Sequence, residues 1–442
     1  MVPWDERAID VVSTLNRAGF QTVLVGGCVR DSLLDIPPHD YDVATAARPE
    51  QVEKILSHLP CIKTGLKHGT VTIMSQGLPV EVTTFRREEG YSDHRRPDLV
   101  TFTDDLSQDL ARRDFTINAM TWGPDGLIDQ YGGQEDLSKG LIRCVGQPDQ
   151  RFEEDALRPL RGLRLAAQLD FTLETQTAAA VRRHIPQLSH VAWERISSEF
   201  VRLLCSPAAG RILLDFPEAA VQIVPELGPC VGFAQHNPHH CYDVYTHSVK
   251  ALEGVPPAPV LRLAALLHDV GKPDSFQLDE NGVGHFYGHP NLSAQLAQTA
   301  LSRLRLDRAT QEQVLTLVSR HDMTISPTRA CVGRWLARLG EETFFQLMAL
   351  KGADALATAT PDSPWEHDRR HALALARTVL EEGSCLSLKD LAVNGRDAIR
   401  AGLSGRDIGA ALHHLLDQVA QGLVPNEPHI LGEKLSQYAA DK

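Results

Sequence analysis

The stretch "HDYDVAT" places Asp40 and Asp42 one residue apart. Residues two apart in a strand point to the same side, so the spacing predicts two carboxylates on one strand face. Such a pair suits Mg²⁺, a hard cation usually held by one or two carboxylates plus substrate phosphates. A second strand-like run, "PVEVTTF", offers Glu81 as a third ligand. With two ions in place, one activates an attacking hydroxyl and the other neutralises a leaving phosphate. Upstream, Gly26 and Gly27 end the apolar run "QTVLV" and open "CVRDSLL". Lacking side chains, they let backbone N–H groups approach a triphosphate at a helix start. The segment has neither the G-K-[ST] of a Walker loop nor the third glycine of a dinucleotide fingerprint. A D-x-D alone is equally well a solvated turn, and it is the order strand, glycine pair, Arg-Asp, D-x-D that favours phosphate chemistry.

The elements that would position these groups can be read from periodicity. "AIDVVSTLNRAG" and "ARPEQVEKILSHL" have helical spacing, "QTVLV" and "YDVAT" read as strands, and "GTVTIMSQGLPVEVTTF" alternates like a hairpin. Beyond about residue 150 the strand signal nearly vanishes, and "EEDALRPLRGLRLAAQL", "RISSEFVRLLC", "LRLAALLHDV", "SAQLAQTALSRL" and "IGAALHHLLDQVA" all read as helices. The expected class is α+β, a mixed head followed by an all-α remainder. A chain of 442 residues exceeds what one core usually serves. Loop-like breaks at "GFAQHNPHH" and "TPDSPWEHD" suggest boundaries near 235 and 362.

With 43% hydrophobic and 23% charged residues the composition is that of a globular protein. A net charge of -13 excludes overall polycationic attraction to nucleic acid, so any RNA contact must come from local basic patches. The eight cysteines (Cys28, Cys61, Cys144, Cys205, Cys230, Cys241, Cys331 and Cys385) form no C-x-x-C pair. They read as reduced thiols in a cytoplasmic protein. No apolar stretch is long enough to span a bilayer, and the first residues lack a signal-peptide pattern.

Taken in order, "GGCVRDSLL", "HDYDVAT", "VEVTTFR", "RRDFTINAM" and "RFEEDALRPLRGLR" resemble the successive motifs of the class II tRNA nucleotidyltransferase and bacterial poly(A) polymerase family. The resemblance implies a polymerase-β-like head. There Gly26, Gly27 and Arg30 would hold a nucleoside triphosphate, while Asp40 and Asp42 would hold the metals that direct an RNA 3′-hydroxyl at its α-phosphate. It further implies ribose and triphosphate contacts from Arg113, Asp114 and Asn118.

The stretch "EEDALRPLRGLR" resembles the family's nucleotide-selecting motif, carried here by Glu154, Asp155 and Arg158. Read as one helix, it sets Asp155 and Arg158 at i and i+3, neighbours on one face; without the upstream motifs this would be an ordinary ion pair. Cytosine and adenine each offer an amino group beside a bare ring nitrogen, so a carboxylate can accept from the first while a guanidinium donates to the second. Uracil and guanine present a carbonyl beside an N–H and would leave buried groups mispaired, a penalty that can reach roughly 10⁴-fold. Arg161 and Arg164 continue the basic row and could meet triphosphate or RNA. Pro159 departs from expectation, because outside a first helical turn it would delete a hydrogen bond and kink the segment.

The polar stretch from Arg86 to Arg96 looks like the family's flexible loop, and its full length favours complete CCA addition over CC addition. The end of the chain has no run of positive charge, unlike a poly(A) polymerase. "NGRDAIRAGLSGRDIGAALHH" resembles the tail of tRNA-adding enzymes, where Gly405, Arg406 and Gly409 could let a helix start approach tRNA.

A second resemblance is to the HD superfamily of metal-dependent phosphohydrolases, in "YDVYTHSVKAL", "LLHDVGKP", "GHFYGHPNLSAQ", "SRHDM" and "LKGADALA". It implies His247, His268, Asp269 and Asp354 as ligands, His289 and His321 for a second metal, and Lys272 as a phosphate contact. Imidazole with carboxylate suits Mn²⁺, Fe²⁺, Ni²⁺ or Zn²⁺ better than Mg²⁺. His239, His240, His285, His413 and His414 read as surface or structural residues.

The expected organisation is therefore a catalytic head over 1–150, a helical neck over 151–235, an HD domain over 236–361 and a helical tRNA-binding tail over 362–442. The implied activity is template-independent CCA addition to tRNA from CTP and ATP. CC addition, A addition, poly(A) synthesis and a primarily HD phosphohydrolase protein stand as alternatives, and the oligomeric state is open.

Overall fold

The structure, a computed structural model, describes residues 2–66, 69–90, 98–237, 241–358 and 364–441. The chain divides into two compact units, Met1–Ile223 and Val224–Lys442.

The first unit is built on a mixed sheet. Its strands are β1 (Thr22–Val25), β2 (Tyr41–Thr45), β3 (Cys61–Gly65), β4 (Thr70–Ser75) and β5 (Leu78–Thr84). After a separate antiparallel ribbon, β6 (Arg86–Glu89) with β7 (Leu99–Phe102), the sheet continues with β8 (Thr121–Gly123) and β9 (Gly126–Ile128). The order is β3-β4-β5-β2-β1-β8-β9, and β2 runs parallel to β5 while the other pairs are antiparallel. The expected hairpin is β4–β5, closed by Gln76 and Gly77, both at positive φ (46° and 84°). A two-residue turn of that handedness matches the twist of the flanking strands.

Side-chain alternation gives the sheet two different faces. Leu24, Tyr41, Val43, Val71, Ile73, Val80 and Val82 bury one face under the helices Glu6–Arg17 and Pro49–Ile55. Val23, Val25, Ala44 and Phe85 occupy the other with Leu106 and Leu110 of the short helix Leu106–Ala111. By strand alternation Asp42 belongs to this second, more sparsely covered face.

The expectation of an α+β head followed by helices holds, with three local corrections. First, "EEDALRPLRGLRLAAQL" is not one helix. A helix ends at Glu154, Asp155 is extended (φ -138°, ψ 108°), and a new helix runs Arg158–Leu169. Pro159 lies in the first turn of that new helix, where its missing N–H costs nothing, so it starts the helix rather than kinking it. Secondly, Asp40 stands in a bend before β2, so of the two acids only Asp42 is a strand residue. Thirdly, short strands occur late in the chain. β10 (Leu141–Ile142) pairs in parallel with β11 (Thr172–Leu173), and β12 (Phe276–Leu278) with β13 (Gly284–Phe286) forms a hairpin in the second unit. Elements of two or three residues are too short to display a period.

The second unit is otherwise helical. Helices Val244–Gly254, Pro259–Leu267, Arg308–Arg320 and Glu341–Leu356 pack on one another, and a separate apolar cluster joins Leu391, Leu412, Leu415, Leu431 and Leu435 near its end.

Candidate active site and metal centre

Parallel register sets Asp42 opposite Glu81, and antiparallel register sets it opposite Val25, one residue before the glycine pair. Gly26 takes φ +81°, and a Cβ there would sit 3.4 Å from Asp42 Oδ2 and 3.5 Å from Arg113 Nη1. The left-handed backbone is what requires glycine here, and it carries the turn over a carboxylate and a guanidinium at ordinary contact distance. Burial pushes the Asp42 carboxyl above its ordinary range; Arg113 opposes this, while Glu81 and Asp40 add to it. Crowded, under-compensated carboxylates of this kind fit a hard divalent cation. Among the described residues, Asp40, Asp42 and Glu81 do not gather within 4.8 Å of one another as a ready-made ligand set.

Arg30, buried in the following helix (Gly27–Leu33), donates from Nη1 to Asn118 Oδ1 (2.8 Å) and from Nε and Nη2 to Asp31 Oδ1. Arg30 and Asn118 are therefore together, across 88 residues of sequence. Asp114 is buried and its Oδ1 accepts from the Phe115 N–H, while Arg161 Nη2 lies 2.8 Å from its Oδ2 without an aligned hydrogen bond. Burial alone would raise the Asp114 carboxyl, but the Arg161 and Arg158 guanidiniums outweigh it and hold it below the usual range. Asp114 first of all, then Glu199, Asp155 and Asp42, raise Arg161 against the effect of burial. Arg161 therefore stands within electrostatic reach of both Asp42 and Asp155. Asp114 Oδ2, Arg161 Nε and Arg113 Nε are buried polar atoms with no hydrogen-bond partner, the condition of a site awaiting a polar ligand.

The nucleotide-selecting motif differs from its expected geometry. Asp155 and Arg158 are not neighbours on one helix. Arg158 Nη1 donates to Glu154 Oε2 (2.5 Å) and to the Arg151 carbonyl, and its Nη2 donates to the Arg112 carbonyl. Asp155 instead pairs with Arg195, whose Nη2 lies 2.9 Å from Oδ2. The break between the helices is the physical reason, because it turns the two side chains to different partners. Arg195 and Glu199, which binds Arg164 at 2.5 Å, were not singled out by sequence. Their only signal is the i, i+4 spacing in "WERISSEF". Also unforeseen is a network at the foot of the β6–β7 ribbon, where Glu88 takes Arg86 and Arg112, and Arg112 binds buried Asp109 at 2.7 Å. Residues 91–96 of the expected flexible loop, and His239 and His240, lie outside the described residues.

In the second unit the six expected ligands converge. His247 Nε2 lies 2.9 Å from Asp354 Oδ1 and 3.4 Å from Asp269 Oδ2, and His268 Nε2 lies 3.2 Å from Asp269 Oδ2. His289 and His321 place Nε2 3.3 and 3.5 Å from Asp269 Oδ1. Among the described residues these form two possible metal sets, His247–His268–Asp269–Asp354 and Asp269–His289–His321, which share Asp269. Three of the four histidines put Nδ1 on a carbonyl three residues back: His268 on Ala265, His289 on Phe286 and His321 on Val318. That bond fixes the tautomer and leaves the Nε2 lone pair for a metal. His268 Nε2 and Asp269 Oδ2 are buried without an aligned hydrogen bond, so the donor set fits a cation. Lys272 is buried against the cluster, 2.7 Å from Asp269 Oδ2 and donating to Gln235. Lys351 Nζ donates to the His321 carbonyl at 2.6 Å from one turn before Asp354.

Family models match three segments: the Poly A polymerase head domain over residues 22–143, the probable RNA and SrmB-binding site of polymerase A over 170–227, and the HD domain over 239–359. A CCA-adding enzyme of Levilactobacillus brevis is 34% identical over 437 residues, covering 96% of this chain and 95% of that protein. The chain belongs to the CCA-adding enzyme family. A second CCA-adding enzyme, from Limosilactobacillus reuteri, is 48% identical over 214 residues, which span 48% of this chain and about half (52%) of that relative. Among solved structures, the CCA-adding enzyme of Bacillus stearothermophilus in complex with CTP is 28% identical, with a TM-score of 0.73 and coverage of 100% of this chain and 99% of that one. The mixed head is thus the polymerase-β-like head of this family, and the chain also carries an HD domain bearing two candidate metal sets.

Proposed function

We propose that the chain is a template-independent nucleotidyltransferase that restores CCA at tRNA 3′ ends from CTP and ATP. The observation that carries this reading is the glycine turn set directly over Asp42 and Arg113, with Glu81 beside Asp42 on the adjacent strand. Asp40, Asp42 and Glu81 hold Mg²⁺, which when bound neutralises phosphate charge and favours ionisation of the attacking hydroxyl. The Gly26–Gly27 turn admits the triphosphate, Arg30, Arg113 and Asn118 line its approach, and Asp114 anchors Arg161. Asp155 accepts from the amino group of cytosine or adenine, and Arg158, which has Nη2 and Nε protons beyond those on Glu154 and the Arg151 and Arg112 carbonyls, donates to the ring nitrogen. Gly405 (φ +56°) opens the helix Arg406–Ala420, and a Cβ at Gly409 would meet open space, which supports tRNA approach along this face of the tail. Among the described residues no helix is long and apolar enough to cross a membrane, and eight free cysteines support a cytoplasmic setting.

The test offers tRNA ending before CCA, or after CC, with CTP, ATP or both. Completion to CCA is expected. Stopping at CC, accepting only a CC end, or producing long A tails assigns the chain to CC addition, A addition or poly(A) synthesis instead.

A second activity is favoured by the complete HD ligand set: a transition metal (Mn, Fe, Ni or Zn) held there would activate water on a phosphate ester. His268→Ala with Asp269→Ala is expected to abolish phosphatase activity and spare nucleotide incorporation, while Asp40→Ala with Asp42→Ala does the reverse.

A further inference from the structure

Asp155 sits alone on a link between two helices, where no helical neighbour fixes its side chain. Its carboxylate is instead held from two sides. Oδ1 accepts from the Leu157 N–H at 3.0 Å, and Oδ2 accepts from Arg195 Nη2 at 2.9 Å, with Arg195 Nη1 3.5 Å from Oδ1. Arg195 comes from the first turn of the helix Trp193–Leu204, which packs on the helix Arg158–Leu169 through Glu199 and Arg164. The planar guanidinium therefore sets the plane of the carboxylate from a rigid element, and Oδ2, which accepts from Arg195 alone, keeps a lone pair for another donor.

The chemistry of selection needs this constraint. A carboxylate accepts from any N–H, including the ring N–H of uracil and of guanine. It rejects those bases only if it is held opposite the position where cytosine and adenine carry an amino group and uracil and guanine carry a carbonyl. A carboxylate free to turn toward the ring position would take UTP and GTP as well. We propose that Arg195 is a specificity-determining positioning residue that locks Asp155 on the amino-group position. The inference rests on the reading of Asp155 as a base-contacting residue.

The test compares kcat/KM for CTP, ATP, UTP and GTP in wild type, Arg195→Gln, Arg195→Lys and Asp155→Asn, with Arg182→Gln as a control in a remote ion pair on Glu218. Arg195→Gln is expected to lower kcat/KM for CTP and ATP by about 10–100-fold and to reduce the CTP-to-UTP ratio at least about 10-fold. Arg195→Lys, a point charge without the fork, restores part of both, and it carries the comparison if the glutamine variant fails to fold. Equal losses for all four nucleotides would reduce Arg195 to a structural role and overturn the inference. Unchanged discrimination in Arg195→Gln beside lost discrimination in Asp155→Asn overturns it while leaving the site reading intact. Wild-type discrimination in both variants overturns inference and reading together.

Discussion

Asp42 and Glu81 are register partners across the parallel strands β2 and β5. Side by side on adjacent strands, they share one sheet face, and no arginine forms an ion pair with Asp42 at contact distance among the described residues. In the absence of metal this is an unfavourable arrangement, and burial adds to it.

Removing that charge should therefore stabilise the metal-free protein while destroying its activity. A carboxyl held above its ordinary range contributes stability below its unfolded-chain value and loses it as pH rises. Asp42→Asn is thus expected to raise Tm at pH 7 by roughly 2–4 °C, the size of about 1 kcal/mol in a unit of this length, and to give no gain near pH 3. Nucleotide incorporation should fall by several orders of magnitude. A lower Tm at pH 7 in metal-free buffer would contradict the crowding argument, whatever the activity.

Asp114 presents the opposite sign. Its carboxyl is held low by Arg161 and Arg158 despite burial, so its contribution is complete above the unfolded-chain value and disappears as pH falls through the lower folded one. Asp114→Asn is expected to cost about 1–2 kcal/mol at pH 7, less than the loss of a fully buried pair, because the Arg161 side chain is 38% exposed. Urea titrations at several pH values should show the difference from wild type shrinking from pH 5 toward pH 3. A constant difference would mean that the charge pair is not its origin.

The parts of this site that could be read from sequence are those whose causes are local. The β4–β5 hairpin follows from period-two alternation and a Gln-Gly turn, and Asp42 and Glu81 follow from their strands. The HD ligands were legible by order, but not the carbonyl anchors that fix their tautomers. The local geometry of the selecting motif was misread because Pro159 suits either a kink inside one helix or the start of another, and the choice depends on packing. Once the chain breaks at Asp155, partners are set by tertiary geometry. Arg195 reaches Asp155 from forty residues away, and nothing in the intervening sequence specifies that pairing.

Close packing in the second unit makes a further prediction that is independent of chemistry. Gly333, in the helix Arg329–Leu339, lies against the end of the helix Arg406–Ala420, and an added Cβ would come within 2.0 Å of the Ala420 carbonyl oxygen. The neighbour is backbone, so relief requires the helices to part. Gly333→Ala should destabilise by about 2–3 kcal/mol, seen by calorimetry as a fall of roughly 5–10 °C in the transition of this unit. Gly409→Ala, which meets open space, should leave Tm unchanged or slightly raised. Equal behaviour of the two variants would show that the helix contact is loose.

The shared carboxylate of the HD centre predicts an unequal response to ligand removal. Asp269 faces His247 and His268 with one oxygen and His289 and His321 with the other. Loss of His321 removes a ligand from one set only, whereas loss of Asp269 weakens both. After loading with Mn²⁺ or Ni²⁺ and desalting, elemental analysis should find about two ions per wild-type chain, about one in His321→Ala and close to none in Asp269→Ala. CCA addition by the same preparations should stay at the wild-type rate, because these ligands lie in the second unit and the carboxylates of the head in the first. Retention of one full equivalent in Asp269→Ala would mean that the quartet holds its ion through His247, His268 and Asp354 without the bridge, and the centre would then be two separate sites.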